Sequence, residues 1–185
     1  MNGQLTGTPM AFQLPGPIDI HALTQAAGRL SGHCAPRDLP RLVDLTAGEA
    51  GELEWEFEGS SLLRADGSRQ ARADLFVKGC VMLPCVRCLQ PMACLLDEHR
   101  RYRFVRTEEQ ASTEDAQDEE FDVLVASRNF DLAGLIEEEI LLALPGAPRH
   151  ADCGLPVEIQ AGPTWAQGLA DLRSQVGQEK GGAKD

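Results

Sequence analysis

Two widely separated pairs of metal-binding residue types constrain this chain more than any other feature: Cys85 with Cys88, and His150 with Cys153. Two ligands placed three residues apart can reach the same tetrahedral ion, so two such pairs supply the four ligands of one zinc. Joining the pairs would fold the second half of the chain into a single unit. With every coordination position filled, such a zinc is structural and activates no water.

Two other roles for these cysteines stay open from the sequence alone. They could pack as small apolar residues in a tight turn without any metal. A CxxC sequence also serves thioredoxin-type redox chemistry, in which the first cysteine begins a helix that lowers its pKa. Residues 87–91, Arg-Cys-Leu-Gln-Pro, show no helical pattern, which makes redox chemistry the weaker alternative.

The termini and the apolar runs indicate where the protein works. Residues 1–10 show no secretory leader, and no stretch approaches the roughly twenty apolar residues that a bilayer span requires. We therefore expect a cytoplasmic protein with no membrane contact, whose six cysteines are thiols or metal ligands rather than disulfides.

Alternating apolar residues predict the strands. Leu53, Trp55 and Phe57 alternate with glutamates, the pattern of a strand with one buried face and one wet face. A turn signal at residues 65–68 separates two extended runs, and another extended run follows Pro91, so the cysteine turn joins antiparallel strands as in a zinc-ribbon knuckle.

Helical spacing predicts two helices, one over residues 18–30 and a stronger one from the N-cap residue Asp131 to Pro145. The predicted class is therefore α+β: an antiparallel sheet or partly closed barrel with a CxxC knuckle hairpin and one main packed helix. We expect a single domain over residues 10–160. Residues 107–120 are predicted to be a mobile acidic loop within it, and residues 161–185 a flexible C-terminal tail.

The net charge of -12 argues against a general phosphate binder, but residues 62–106 hold nine basic and four acidic residues. This basic hairpin could contact RNA or a partner, or it could neutralise the protein's own row of glutamates in residues 52–58. The excess acid slightly favours the internal role. The residues of the hairpin that are candidates for contact with RNA or a partner are Arg87, Arg100, Arg101, Arg103 and Arg106.

Glu139 is a charged residue on the apolar side of the main predicted helix, among Leu135, Ile136 and Ala143. A carboxylate in that position needs a partner. It could pair with an arginine of the basic hairpin, support His150 from outside the ligand set, or lie at the edge of the apolar stripe with its head in water.

Three stretches together resemble the YceD family: residues 83–91 (LPCVRCLQP), the helix of residues 131–145 with its EEEILLALP end, and Pro148 followed by His150 and Cys153. The resemblance covers roughly residues 14–153. It implies a role in the accumulation of large-subunit ribosomal RNA, through its synthesis, processing or protection during ribosome assembly.

The sequence contains no Gly-rich phosphate loop, no GxSxG and no paired histidines of a hydrolytic metal site, so we predict no enzymatic activity and no small-molecule substrate. With the resemblance, the leading interpretation is a non-enzymatic ribosome-biogenesis factor that binds a basic ribosomal or RNA-processing protein, or precursor RNA. The alternatives are a nuclease that holds magnesium on Glu52, Glu54 and Glu56, a thiol redox protein, or a zinc-stabilised interaction module unrelated to ribosomes.

Overall fold

The computed structural model describes residues 14–48 and 51–153, so the predicted tail of residues 161–185 lies outside the described residues. The strands are β1 (Arg29–Cys34), β2 (Gly51–Leu63), β3 (Arg69–Pro84), β4 (Pro91–Val105) and β5 (Asp122–Val125). The helices are α1 (Ile20–Gln25), α2 (Pro40–Val43), α3 (Glu108–Asp115) and α4 (Leu132–Ala143), with a 3-10 turn at Pro36–Asp38.

The strands form one open sheet in the order β1-β2-β3-β4-β5. Neighbours from β1 to β4 are antiparallel, whereas β5 runs parallel to β4. The predicted α+β class is confirmed, and the sheet does not close into a barrel. The prediction that all neighbouring strands are antiparallel is wrong only for the β4–β5 pair. The connection through α3 carries the chain back along the sheet before β5 begins, as a parallel pair requires.

One face of the sheet carries the core. The predicted strand around Trp55 is β2, and its Leu53, Trp55 and Phe57 are buried while Glu52 and Glu54 are exposed. Helices α1 and α4 pack on the buried face, against β2–β3 and β3–β4 respectively. Burial of a large aliphatic side chain contributes about 1.5–3 kcal/mol. The fully buried aliphatic residues of α4 are Leu132, Ile136 and Ile140.

Helix α1 ends earlier than predicted. Ala27 adopts a left-handed conformation with φ of 48°, the Ala27 N–H donates to the Thr24 carbonyl, and the Gly28 N–H donates to the Leu23 carbonyl. This is the Schellman arrangement that ends helices. The prediction of one helix over residues 18–30 is therefore wrong after Gln25, and Arg29–Cys34 instead forms the edge strand β1.

The prediction of a loop over residues 107–120 is wrong for Glu108–Asp115, which form α3. The Thr107 side chain caps this helix by accepting a hydrogen bond from the Gln110 N–H, and Glu108 and Glu109 lie in its first turn, where negative charge favours the helix dipole. Its Glu114 carboxylate pairs with Arg103 of β4, a contact that the sequence pattern does not reveal. The mobility of the segment stays a prediction.

The helices in the described part of the chain are all too short or too polar to span a lipid bilayer.

Candidate metal centre

A tight turn presents the first pair of cysteines. Strands β3 and β4 pair up to Pro84 and Pro91, and the Cys85 N–H donates to the Gln90 carbonyl at 3.0 Å to close the turn between them. Leu89 adopts a left-handed conformation with φ of 60°. A non-glycine residue there is strained by about 1–2 kcal/mol, so the contacts of the turn hold it in place.

The segment that follows α4 returns to this turn. The Val86 N–H donates to the Pro148 carbonyl at 2.8 Å, and Arg87 Nη1 donates to the Cys153 carbonyl at 2.5 Å. The two segments are thus held together by backbone-directed hydrogen bonds, independently of the thiols. Arg87 takes part in this connection, whereas the sequence suggested it as a contact to a partner or to RNA.

The four predicted donors lie together. Their ligand atoms are all within 4.8 Å of one another, with 3.7 Å between Cys85 Sγ and Cys153 Sγ and 3.5 Å between Cys88 Sγ and His150 Nδ1. Zinc bond lengths of about 2.3 Å to sulfur and 2.0–2.1 Å to nitrogen place two tetrahedral sulfurs about 3.8 Å apart, and a sulfur and a nitrogen about 3.6 Å apart. The two closest separations therefore fit tetrahedral zinc.

The histidine ring is set for coordination through Nδ1. His150 Nε2 lies 3.2 Å from the Pro91 carbonyl oxygen, which can only accept a hydrogen bond. The proton of a neutral ring is therefore held on Nε2, and the Nδ1 lone pair faces Cys88 Sγ. A carbonyl that fixes the second ring nitrogen in this way is a common support of a zinc-bound histidine.

The thiols differ in acidity. Burial acts to raise the pKa of Cys85, but hydrogen bonds from the backbone N–H groups of Cys88, Arg87 and His150 outweigh it and lower the pKa to about 5. The side-chain hydrogen bond with Cys88, together with burial and the charge of Cys85, raises the pKa of Cys153 to about 11. The cluster thus favours a thiolate at Cys85, and a divalent cation would displace the remaining thiol protons.

The predicted glutamate row of β2 does not form a second cluster. Within residues 14–48 and 51–153, the Cys85, Cys88, His150 and Cys153 group is the one set of three or more potential ligands that lie close together. Glu56 and Glu58 form ion pairs with Arg29 of β1, and His33 of β1 approaches Glu52 at 3.5 Å. The row is therefore partly neutralised by the edge strand.

Four cations of the basic hairpin form ion pairs among the described residues, but with other acids than those of β2. Arg101 donates to Glu120 at 2.5 Å, and Arg103, whose side chain is 9% exposed, pairs with Glu114 and Asp118. These three acids lie in α3 or within the few residues after it, which explains how an acidic segment folds onto β4. Arg106 is exposed, and its backbone N–H donates to Gln110.

Glu139 joins α4 to the hairpin. Its carboxylate, 6% exposed as a residue, accepts hydrogen bonds from Arg100 Nε at 3.0 Å and from the Tyr102 hydroxyl at 2.7 Å. Burial, followed by the Glu139 hydrogen bond, raises the pKa of Tyr102, so the phenol stays protonated and donates. Of the predicted roles, the geometry matches pairing with an arginine of the hairpin.

A second buried carboxylate on α4 escaped the sequence analysis. Glu137 accepts hydrogen bonds from the backbone N–H groups of Arg41, at 2.6 Å, and Leu42, at 3.2 Å, and also binds the Arg41 guanidinium. It therefore satisfies free donors at the start of α2. Nothing in the spacing of Glu137 distinguishes it from a surface residue, because its partners are almost a hundred positions away.

Comparison with known proteins locates this arrangement in one family. A family model described as "Large ribosomal RNA subunit accumulation protein YceD" matches residues 73–168, just over half of the chain. The chain belongs to the YceD family. No curated protein and no solved structure matches it significantly.

The part that matches the YceD model contains every element of the candidate centre. It spans the β3–β4 hairpin from Ala73 onward, α3, β5, α4 and all four potential ligands. The match begins at residue 73, whereas the resemblance seen in the sequence reached back to about residue 14, so β1 and β2 lie outside it. The description of the family connects it with ribosomes.

Proposed function

We propose that this YceD protein is a cytoplasmic, non-enzymatic factor that promotes the synthesis, processing or stability of large-subunit ribosomal RNA, and that it acts by binding. The family description supplies the ribosomal role. The observation that favours binding over catalysis is the closed set of four donors, Cys85, Cys88, His150 and Cys153, at separations that suit tetrahedral zinc. A site whose four positions are all taken by protein clamps segments together and leaves no position for a substrate.

The bound zinc would supply a cross-link between the knuckle turn and the segment after α4. The chain's own residues prepare that link. Arg87 and Val86 hold the two segments in register through the Cys153 and Pro148 carbonyls, and Pro91 orients His150. Glu139 supports the same arrangement from α4, because its bonds to Arg100 and Tyr102 fix the helix from which the second segment departs.

The outer face of the sheet suits a basic protein partner. Glu54, Glu56 and Glu58 line a groove of about 500 Å³ together with Phe76 and Lys78. Phe76 is half-buried and stacks on His99, with 4.2 Å between ring centroids. An arginine or lysine of a partner could place its apolar stem on these rings and its charge near the carboxylates. A basic ribosomal or RNA-processing protein has this chemistry.

Redox and nuclease activities fit the geometry less well. Cys85 has the lowered pKa that a reactive thiol needs, but it is 0% exposed and so closed to a thiol or disulfide of another molecule. Glu52, Glu54 and Glu56 follow one strand without converging on a point among the described residues, and two of them interact with β1. Both features favour binding over catalysis.

The experiment that tests the proposal is sedimentation of the tagged protein with ribosomal particles from growing cells. We expect the protein to sediment with precursors of the large subunit, and its depletion to lower the amount of large-subunit relative to small-subunit ribosomal RNA. Protein that stays at the top of the gradient, together with unchanged ribosomal RNA after depletion, would contradict the ribosomal role.

A matched pair of variants examines the acidic face in the same assay. Glu54→Lys with Glu56→Lys reverses charge in the groove, whereas Asp44→Lys with Glu119→Lys makes the same change in net charge at two exposed positions outside it. We expect the first pair to weaken sedimentation with the precursors and the second to leave it intact. Equal losses from both pairs would show that net charge, and not the groove, is responsible.

A further inference from the structure

Three arginines surround a groove at the end of the sheet opposite the cysteines. The groove has a volume of about 560 Å³ and lies between α1, the β2–β3 turn, the last residues of β4 and the start of α3. Arg64 reaches it from the β2–β3 turn, Arg69 from the first position of β3, and Arg106 from the residue after β4. All three residues are exposed.

These arginines differ in their surroundings from the three arginines of β4. Arg100, Arg101 and Arg103 each form an ion pair with a carboxylate. Arg64, Arg69 and Arg106 form no ion pair within 4.0 Å among residues 14–48 and 51–153. Arg69 Nη1 donates to the neutral Ser61 hydroxyl at 3.3 Å.

The acids near the groove are already engaged. Glu114 lines it, but its carboxylate pairs with Arg103. Asp66, in the β2–β3 turn, accepts a hydrogen bond from the Ser68 backbone N–H at 2.8 Å and does not line the groove. The groove is thus a region of positive charge in a protein of net charge -12.

We propose that this groove binds the phosphate backbone of single-stranded RNA through Arg64, Arg69 and Arg106. The guanidinium fork matches two oxygens of a phosphate, and exposed arginines along an open groove suit successive phosphates of a polymer better than one small anion. The choice of RNA among polyanions rests on the proposed function. The net charge argued against RNA, but it averages over a surface whose positive charge is concentrated here.

The lining indicates contact with the backbone rather than with bases. Phe104 is the one aromatic side chain at the groove apart from the imidazole of His21, and it is 4% exposed, so it offers no open face for stacking. Serine and glutamine side chains, including Ser61 and Gln110, add neutral hydrogen-bonding groups. Binding should therefore depend strongly on salt and weakly on base sequence.

The first test measures binding of a fluorescent single-stranded uridine oligonucleotide by anisotropy over a range of salt concentrations. With three phosphates contacted, we expect the logarithm of the association constant to fall with the logarithm of salt concentration with a slope of about -2. The triple variant Arg64→Gln, Arg69→Gln, Arg106→Gln should bind at least about tenfold more weakly at low salt, with a slope near zero.

A control with the same change in net charge accompanies it: Arg29→Gln, Arg37→Gln, Arg128→Gln, three exposed cations outside the groove. It should bind the oligonucleotide about as well as the unmodified protein. The proposal is overturned if the unmodified protein fails to bind at low salt, if the control loses as much affinity as the groove variant, or if an equally charged poly-glutamate competes as effectively as RNA.

Sedimentation separates this proposal from the proposed function. One outcome is that the protein sediments with large-subunit precursors but the groove substitutions leave its affinity for RNA unchanged. This outcome would support the ribosomal role and contradict RNA binding by the groove. The opposite outcome is that the groove binds RNA as expected but the protein does not sediment with the precursors. That outcome would support the RNA site and contradict the ribosomal role. Loss of both RNA affinity and sedimentation in the groove variant alone supports both.

Discussion

The polar groups at the two ends of β3 differ in whether they have partners within the protein. Strand β3 has 16 residues, which corresponds to about 50 Å. At its Cys85 end the thiols, the imidazole and Arg87 all bind partners within the protein. At its Arg69 end three arginines face an open groove without ion pairs among the described residues. We call the Cys85 end the closed end, since its polar groups stabilise the fold, and the Arg69 end the open end, since its arginines are available to bind a partner.

This difference shows that the net charge of the chain does not describe the charge of each region of its surface. The chain is strongly acidic overall, and its basic residues are concentrated in one hairpin. The three arginines of β4 pair with carboxylates of α4, of α3 and of the residues just after α3, which leaves the groove as a distinct positive region. Substitutions at the closed end should therefore change stability, and substitutions at the open end should change binding.

The largest effect is expected from Cys153→Ser, which removes one donor from the closed end. The variant should lose its zinc, and its Tm should fall by on the order of 10 °C, because zinc binding and folding are linked in such sites. Calorimetry and metal analysis measure the two quantities. Cys80→Ser, a half-buried cysteine outside the donor set, should keep its zinc. Retention of zinc and of Tm by Cys153→Ser would show that Cys153 is not a ligand and that the closed end does not depend on it.

A smaller loss of stability is expected from Glu139→Gln. The amide keeps an acceptor for Tyr102 but removes the charge that balances Arg100, which should lower the free energy of unfolding by about 1–3 kcal/mol. Glu138→Gln, on the same helix with a 51% exposed side chain, is the matched control and should stay within about 0.5 kcal/mol. Denaturant unfolding measures both. An unchanged Glu139→Gln variant would mean that this carboxylate does not fix α4 on the hairpin.

The next effect concerns α3, which Arg103 ties to β4 through Glu114 and Asp118. Arg103→Gln should cost about 1–2 kcal/mol and raise amide hydrogen exchange in residues 108–115 more than elsewhere. Arg101→Gln removes the more exposed pair with Glu120 and serves as the control. If exchange in α3 is the same in both variants, Arg103 is not the anchor of this helix.

The smallest change in stability is expected at the open end. Arg64→Gln and Arg106→Gln should each change the free energy of unfolding by no more than about 0.5 kcal/mol, because both side chains are exposed and neither guanidinium forms an ion pair within 4.0 Å among the described residues. Each should reduce the salt slope of RNA binding by about 0.7. Thermal unfolding beside the anisotropy assay compares the two responses. Substantial destabilisation would show that these arginines, like Arg103, stabilise the fold.

Local patterns made a large part of the fold predictable. The alternation around Trp55 identified β2, and Asp131 marked the start of α4, where its side chain accepts a hydrogen bond from the Gly134 N–H. The three-residue spacing of Cys85 and Cys88, repeated at His150 and Cys153, identified the four candidate ligands because spacing fixes how two side chains can meet one ion.

Features that depend on distant partners could not be predicted in this way. Helix α3 has no apolar stripe, so its position follows from Arg103, which reads in sequence as one more residue of a basic strand. The end of α1 depends on a left-handed alanine, Ala27, where a glycine would have marked the stop. The groove was missed because it depends on which arginines remain unpaired, a property of the folded structure alone.

The metal content of freshly purified protein, prepared without chelator, tests the central claim most directly. Elemental analysis together with quantitative amino-acid analysis gives the number of zinc atoms per chain. The four donors at the closed end predict one zinc per chain in every preparation. Clearly sub-stoichiometric metal in several independent preparations, with the protein folded to the same extent, would contradict the claim that a zinc clamp joins the hairpin to the segment after α4.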